Sequence, residues 1–393
     1  MVTLRELAAT FFRIGLTAYG GPAIVAQIRD EVVRRRGWVT AGAFDDSLAL
    51  AQIVPGAIAV HTATHVGWRL AGGRGAVVAL VAYVTPAVLL MAGLSAFYVH
   101  LGRLPLVEVG LRGMRAATVG IVVGSIAGLG AAALRDWRGA LLAAAAAAAF
   151  LARLNAVAVL VCAGALAVLL LPREPAGDAA PVAAPSGPQR RTLLAAGVVA
   201  VGFALVVLAL GRLGPVYPRL TLALVKVNLL AFGGGYTAVA LLYEQVVVAN
   251  GWLTPAAFVD GLALGQVTPG PVIVTGTFVG YAAAGPLGAA LATLCMFVPS
   301  GLLLVIAAPH FDRLRRSRVA RRLVRGLLAA FVGMLFFVLW QVASAAIVDP
   351  LTLALTLGSI LALRLRVSPA LLVAGAVAVS LAVALAAPLV SGR

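Results

Sequence analysis

The chain is poor in the residues that most soluble proteins and enzymes depend on. Of its 393 residues, 11% are charged and 7% are aromatic, and there are two cysteines and four histidines, whereas 62% are hydrophobic. A soluble protein of this length is not able to bury so much apolar surface, so the chain is not a soluble globular protein. The histidines and scattered acidic residues do not form the cluster of acids, bases or metal ligands that an enzyme needs, so we predict no catalytic residue and no cofactor.

Specific signatures are missing as well. Cys162 and Cys295 both lie in apolar segments, so we predict no disulfide framework. The pair His61 and His65 in "HTATH" lacks the glutamate of a zinc hydrolase and an evident third ligand, which argues against a metal site. The glycines at 233–235 are not followed by the Gly-Lys-Ser of a nucleotide-binding loop. The first segment has no basic region or cleavage site of a signal peptide, so we expect it to remain uncleaved.

What the chain has instead is a series of apolar segments typical of a polytopic membrane protein. We count thirteen, at roughly 4–27, 46–69, 75–100, 106–134, 139–152, 155–171, 192–211, 220–247, 259–282, 288–309, 326–347, 351–363 and 369–389. The net charge of +17 comes from arginine clusters between these segments, as the positive-inside rule requires, so nucleic acid is not an expected partner. The predicted fold class is all-α.

The chain contains an internal repeat. Residues 16–56 match residues 230–270 without a gap, with 19 identities in 41 positions, and the match continues to Gly120 and Gly333 after a shift of one residue. We therefore predict a first half, residues 1–171, and a second half, residues 216–393, each a copy of one unit of six segments. Residues 172–215 join them through a Pro-rich linker and one extra span.

The extra span predicts that the two halves are inverted relative to each other. Inverted halves place equivalent loops on opposite sides of the membrane, so their arginines should be anticorrelated. Arg34, Arg35 and Arg36 correspond to "VAN" in the second half, and the seven arginines of 313–325 correspond to two in the first half. This pattern supports inverted-topology repeats, an architecture common in secondary transporters.

A topology with thirteen full membrane crossings does not place every arginine cluster on the cytoplasmic side. If the loop 313–325 is cytoplasmic, thirteen crossings place 34–36 outside, against the rule. The conflict disappears if the first two segments of each half are re-entrant hairpins interrupted at their centres. The loops 29–36, 69–74, 135–138, 173–191, 313–325 and 364–366 are then all cytoplasmic. Both versions, interrupted spans and re-entrant hairpins, stay open at this stage.

The motifs that interrupt these segments resemble those of a known family. The patterns "GGP…GWVT…F…AQIVPG…VGW" and "FGGGYTAV…GWLT…F…GQVTPGPV…VGY" are similar to the two halves of the chromate ion transporter (CHR) family in its long, two-domain form. The resemblance covers nearly the whole chain. It implies a multi-pass protein of a prokaryotic inner membrane that exports chromate and confers resistance, with sulfate as a look-alike substrate. We separately predict that the N-terminus is cytoplasmic.

The chain also departs from the family pattern, in its first half. Ala57 stands where the family usually has a second proline, and His61 stands where an amide is common. These two departures leave the choice among oxyanions open.

Helix breaks in mid-membrane suit an anion site on physical grounds as well. A break exposes backbone N–H groups at the start of the second half-helix, which carries roughly half a positive charge. Four such ends are able to converge on a small tetrahedral anion. The predicted substrate-binding residues are the break residues and neighbouring hydrogen-bond donors: Gly20, Gly21, Pro22, Gln52, Pro55, Gly56, Lys226, Asn228, Gly233, Gly234, Gly235, Tyr236, Thr237, Gln266, Thr268, Pro269, Gly270 and Pro271.

Each of these assignments has a plainer alternative. Lys226 is costly in lipid unless it faces a polar cavity, but it also has the position of a lysine that reaches to the interface. The glycines also serve close helix packing. The paired carboxylates Asp30/Glu244 and Asp46/Asp260 are candidates for ion coupling, or else helix caps and partners for arginines.

The sequence thus predicts a secondary transporter that exports chromate or a related small oxyanion by alternating access. An anion channel, or a carrier of another small anion, is the alternative. The expected partners are the oxyanion and the lipid bilayer, and a homodimer is left open.

Overall fold

A computed structural model describes residues 2–19, 21–102, 104–172, 189–308 and 317–390, and within these ranges the chain is helical and has no strand. The first half contains α1 (Leu4–Thr17), α2 (Gly21–Arg29), α3 (Ala41–Ile53), α4 (Ile58–Leu101), α5 (Pro105–Ala133), α6 (Trp137–Leu151) and α7 (Ala156–Leu170). The helix α8 (Gln189–Gly211) follows. The second half contains α9 (Val216–Leu230), α10 (Gly235–Tyr243), α11 (Pro255–Val267), α12 (Thr275–Ala307), α13 (Arg318–Ala346), α14 (Pro350–Arg364) and α15 (Pro369–Val390).

Three short elements complete this list. The helices α2 and α10 continue as π-helical turns at Asp30–Arg35 and Glu244–Ala249, and a 3₁₀ turn at Val272–Val274 precedes α12.

The helices have the lengths and apolar composition of a membrane protein. Six in the described ranges are long and apolar enough to cross a membrane: 58–101, 105–131, 194–211, 272–307, 319–346 and 369–386. Shorter apolar helices lie at 137–151, 156–170, 235–249 and 350–364. The prediction of an all-α polytopic membrane protein is therefore confirmed, whereas the count of thirteen segments stays a prediction.

Four predicted segments are interrupted at the motifs that were expected to break them. The segments are 4–27, 46–69, 220–247 and 259–282, and they form the pairs α1/α2, α3/α4, α9/α10 and α11/α12. Pro55 and Pro269 lack the N–H that would continue α3 and α11. Gly56, Gly234 and Gly270 have φ values of +120°, +112° and +107°, where a side chain is strained. Local chemistry alone thus explains the interruptions.

The two halves differ by one residue at the glycine break. The C-caps of α1 and α9, Ala18 and Ala231, are 213 positions apart, whereas α2 and α10 begin at Gly21 and Gly235, 214 positions apart. The ungapped alignment is therefore shifted by one residue before the break, because the break of the second half contains one more glycine than that of the first half. Corresponding residues are 213 apart in α1 and from the α4 hairpin onwards, and 214 apart from Gly21 to Gly56.

The long helices α4 and α12 each fold back on themselves at a tight turn. In α4 the backbone leaves the helical conformation at Ala71 and Gly72, and a Cβ on Gly67 would lie 2.4 Å from the carbonyl oxygen of Gly75. Eight residues of a continuous helix would span about 12 Å, so these glycines are able to touch only across a hairpin. This turn lies in the predicted loop 69–74. The same turn recurs in α12 at Gly280, Ala284, Gly285 and Gly288.

The two halves pack into each other and not side by side. The helix α5 of the first half lies against α14 and α15, and α13 of the second half lies against α6 and α7. Glycines allow these close approaches: a Cβ on Gly113 would lie 2.4 Å from the carbonyl oxygen of Ala376, and one on Gly333 would lie 2.3 Å from that of Ala143. Each half therefore completes the packing of the other.

Candidate functional site

The breaks of one half are hydrogen-bonded to the breaks of the other. The Gly56 N–H donates to the Ala231 carbonyl at 2.8 Å, and the Gly270 N–H donates to the Ala18 carbonyl at 2.9 Å. Each bond joins the Pro-Gly break of one half to the residue that ends the helix before the glycine break of the other. A Cβ on Gly235 would lie 3.4 Å from Cβ of Val272, so the two breaks of the second half are also close to each other. The breaks therefore form one cluster.

The helices that begin at these breaks lack side-chain caps. The N-caps Ala57 of α4, Gly234 of α10 and Pro271 of the 3₁₀ turn make no side-chain hydrogen bond to the free N–H groups. Helices that begin at loops are mostly capped by a side chain: Thr3, Thr40, Asp136, Asn155, Thr254, Ser317 and Asp349. The exceptions are α5 and α9, which begin beside a proline. N–H groups at a helix start that no side chain caps are able to donate to an anion.

Backbone conformation favours glycine at two positions of the second-half break. Gly233 has φ of +88°, and a Cβ there would also lie 2.1 Å from Cδ2 of Leu328. A Cβ on Gly234 would meet Ile58 at an ordinary 3.5 Å, so the positive φ, and not space, requires glycine there. Gly20 lies outside the described residues. Gly21 and Pro22 begin α2.

Polar side chains of the second half surround the same break. The Tyr236 hydroxyl donates to Oε1 of Gln266 at 3.4 Å, and Nε2 of Gln266 is buried without a partner in the described residues. Thr237 donates to the Gly234 carbonyl at 2.7 Å, and Thr268 donates to the Leu264 carbonyl at 2.8 Å. The structure thus brings Tyr236 and Gln266 together with a free amide donor, whereas the two threonine hydroxyls satisfy nearby backbone.

The first half differs at the corresponding glutamine. Gln52 is exposed, whereas Gln266 is buried. Pro55 and Gly56 are buried, as are Pro269, Gly270 and Pro271. The predicted polar contacts therefore concentrate in the second half.

The side-chain amide of Asn228 in α9 bonds to the backbone of the neighbouring helix α12. Its Nδ2 donates to the Met296 carbonyl at 2.6 Å, and its Oδ1 accepts from the Ser300 N–H at 2.8 Å. In an unbroken helix this N–H and this carbonyl would bond to each other, but Pro299 disturbs α12 there. Both functions of the amide are occupied, so Asn228 has a structural role that the sequence did not indicate.

The two halves differ in one charge pair. Arg13 and Lys226 are corresponding residues, and Arg13 bonds to the Glu31 carboxylate at 2.6 Å. The counterpart of Glu31 is Gln245, whose side chain donates to Glu244. In the described part of the chain, half-buried Lys226 has no hydrogen bond or ion pair. The second half therefore keeps the cation and lacks the acid that would neutralise it.

The coupling candidates have contrasting surroundings. Asp30 pairs with Arg34 and Arg35 near the surface, as expected for a partner of arginines. Asp46 is half-buried and has a partner. Asp260 is fully buried and is bonded across the two halves.

The partners of Asp260 come from the first half. They are Arg115 of α5, at 2.6 Å from Oδ1, and the hydroxyl of Tyr98 of α4, at 2.9 Å from Oδ2. Arg115 also bonds to Glu108 at 2.9 Å. The sequence analysis missed these partners, although an arginine inside the apolar α5 is a signal for a buried charge pair.

Neither cysteine is in a disulfide. Within the described ranges no group of three or more His, Cys, Asp or Glu residues is placed to hold a metal ion.

Comparison with known proteins identifies relatives over most of the chain. The family model described as "Chromate transporter" matches residues 5–169 and 218–381. An uncharacterized transporter of Methanocaldococcus jannaschii is 31% identical over 83% of this chain and 81% of its own. The chromate transport proteins of Cupriavidus metallidurans and Pseudomonas aeruginosa are each 30% identical, over 96% and 84% of this chain and 93% and 79% of theirs. No solved structure matches.

Proposed function

Because this chain belongs to the chromate transporter family, a family of membrane transporters, we propose that it exports chromate or a related tetrahedral oxyanion such as sulfate. The transporter lies in the plasma membrane of a prokaryote, with its N-terminus in the cytoplasm. The observation that carries the proposal is the cluster of uncapped half-helix N-termini from both halves, joined by the reciprocal bonds from Gly56 and Gly270.

The cluster has the chemistry that an oxyanion needs. Free backbone N–H groups at a helix N-terminus donate to anionic oxygens, and glycine lets the anion come close to the backbone. Irregular backbone at membrane depth is tolerated where it lines a cavity or meets a ligand. Lys226, without a carboxylate partner, adds a full positive charge that a dianion compensates. Tyr236 and the free amide of Gln266 supply further hydrogen bonds.

The arrangement of the halves suits alternating access. We propose that they are inverted repeats, since each Pro-Gly break bonds to the other half in the same way and their arginine clusters are anticorrelated. Rocking of one half against the other then opens the cluster to each side in turn. A carboxylate that changes partners during this motion would couple transport to protons, and Asp260, bonded across the halves, is the candidate we favour over Asp30, Asp46 and Glu244.

The test is uptake into inverted membrane vesicles that contain the full chain. We expect saturating uptake of labelled chromate, competition by sulfate and other tetrahedral oxyanions, and loss of uptake when the proton gradient is collapsed. Vesicles without the chain are the control. Uptake of none of these anions refutes the substrate class, and an ohmic current that does not saturate identifies a channel.

A further inference from the structure

His61 is a buried imidazole that the fold leaves without partners. It lies in the first turn of α4, directly after the Pro-Gly break, and is 1% exposed. Neither ring nitrogen has a hydrogen-bond partner in the described part of the chain. Burying a polar group without a hydrogen bond is unfavourable, so its presence needs a reason.

Packing does not supply that reason. In the 213-residue register that aligns Gly67 with Gly280, the second half has Val274 where the first half has His61, and Val274 is equally buried. The corresponding turn of the second half therefore packs without an imidazole. His65, one turn later, behaves differently, because its Nδ1 bonds to Ser47 at 2.8 Å and its ring stacks on Trp68. Of these two histidines, His61 is the one without a structural partner.

The ring of His61 lies against the break itself. A Cβ built on Gly56 would be 2.7 Å from Cε1 and 2.8 Å from Nε2 of His61, and 2.8 Å from the hydroxyl of Ser300. The Gly56 N–H donates to the Ala231 carbonyl, and a Cβ on Gly234 of the second half would lie 3.5 Å from Cδ1 of Ile58. His61 therefore lies at the uncapped N-terminus of α4, where the breaks of the two halves meet.

We propose that His61 binds the transported oxyanion directly, donating a ring N–H to one of its oxygens beside the N-terminus of α4. The inference rests on the proposed function and adds a residue of the first half to the site. An anion there would satisfy both the free N–H groups of α4 and the unpartnered imidazole. Because Val274 occupies the corresponding position, the two halves would bind the anion unequally.

Each histidine has a natural replacement in the other half, which gives a matched pair of variants. His61→Val and His65→Phe each introduce the corresponding residue of the second half. Hydrogen bonds to charged groups change affinity by roughly tenfold or more, so we expect KM for chromate to rise at least about tenfold in His61→Val. His61→Gln keeps a donor and should stay within about threefold of the wild type. His65→Phe should stay within about twofold.

A second measurement separates binding from folding. The Tm of the purified full chain is measured with and without chromate or sulfate. Without ligand, His61→Val should melt at or above the wild-type temperature, because it removes an unsatisfied buried group. The rise in Tm caused by the oxyanion should be lost, because ligand stabilisation depends on affinity. If His61 had only a structural role, His61→Val would melt below the wild type without ligand and would keep the wild-type rise in Tm with the oxyanion.

The outcomes separate the two proposals. If wild-type vesicles take up no oxyanion, the proposed function fails. If they do, and His61→Val keeps the wild-type KM and the wild-type Tm shift, the assignment of His61 is overturned while the function stands. A lowered Tm without ligand, with KM unchanged, also overturns it.

Discussion

At the scale of single residues, the two halves differ in one charged residue. Arg13 is neutralised by Glu31, whereas its counterpart Lys226 is not, because Gln245 replaces the acid. An unneutralised cation that is half-buried in a membrane protein is costly unless an anion visits it. The presence of Gln245 in place of an acid thus leaves a positive charge that, as we propose, the anionic substrate compensates.

Lys226→Gln should raise the KM for chromate about tenfold and leave the amount of protein in the membrane unchanged, since it removes charge and not packing. Gln245→Glu should have a similar effect, because it restores the carboxylate that the first half has. Vesicle uptake measures both, and Glu31→Gln is the matched control in the other half. Unchanged affinity in Lys226→Gln would remove this residue from the site.

Gly234→Val should abolish transport while the protein still reaches the membrane. The reason is backbone strain, because Gly234 has φ of +112° and a Cβ there would meet only Ile58, at 3.5 Å. Valine at this position therefore changes the course of the backbone at the break. Gly93→Ala is the control, since Gly93 has open space around it. Normal transport by Gly234→Val would show that the break tolerates another conformation.

At the scale of secondary-structure elements, α11 is fastened to α4 and α5 by a buried ion pair. Asp260 accepts bonds from Arg115 and Tyr98, and Arg115 also bonds to Glu108. Removing one partner of a buried pair leaves an uncompensated charge, whereas protonation of the acid removes the charge attraction to Arg115. Because this ion pair joins the two halves, its geometry depends on their relative position.

Asp260→Asn should mimic a permanently protonated carboxylate. We expect exchange of chromate across the vesicle membrane to continue while uptake driven by the proton gradient falls at least about tenfold, because a coupling acid acts in the driven step. Asp30→Asn, in a surface ion pair, should leave both within about twofold. Loss of exchange and driven uptake together would indicate that Asp260 holds the fold and does not couple transport.

At the scale of the whole molecule, two homologous halves are interlocked. The reciprocal bonds at Gly56 and Gly270, and the exchange of packing partners by α5 and α13, tie each half to the other. A movement that separates them must therefore change these contacts together, which favours motion of whole units over local unfolding.

Inversion of the halves predicts opposite accessibility for equivalent loops. In a chain with Cys162 and Cys295 replaced, Arg35→Cys and Ala249→Cys place single thiols at corresponding positions. The hairpin version predicts that an impermeant reagent applied to intact cells labels position 249 and leaves 35 unlabelled. Labelling of 35 and not 249 favours thirteen plain crossings. Labelling of both from the same side refutes inversion.

The sequence by itself determined the class of protein, its duplication and the sites of its breaks. These depend on local properties, namely hydrophobic length, proline and glycine geometry, and identity between the halves, all of which are readable without knowing which elements touch. Membership in the family of chromate transporters was likewise visible in the motifs "GGP" and "TPGP" with their surroundings.

Only the tertiary structure decided which breaks meet and which polar groups remain free. The partners of Gly56 and Gly270, the insertion of Asn228 into α12 and the pairing of Asp260 with Arg115 all join residues far apart in the chain. Such contacts follow from how the halves interlock, which no local pattern encodes. For the same reason, only the structure reveals that Lys226 and His61 have no hydrogen-bond partner among the described residues.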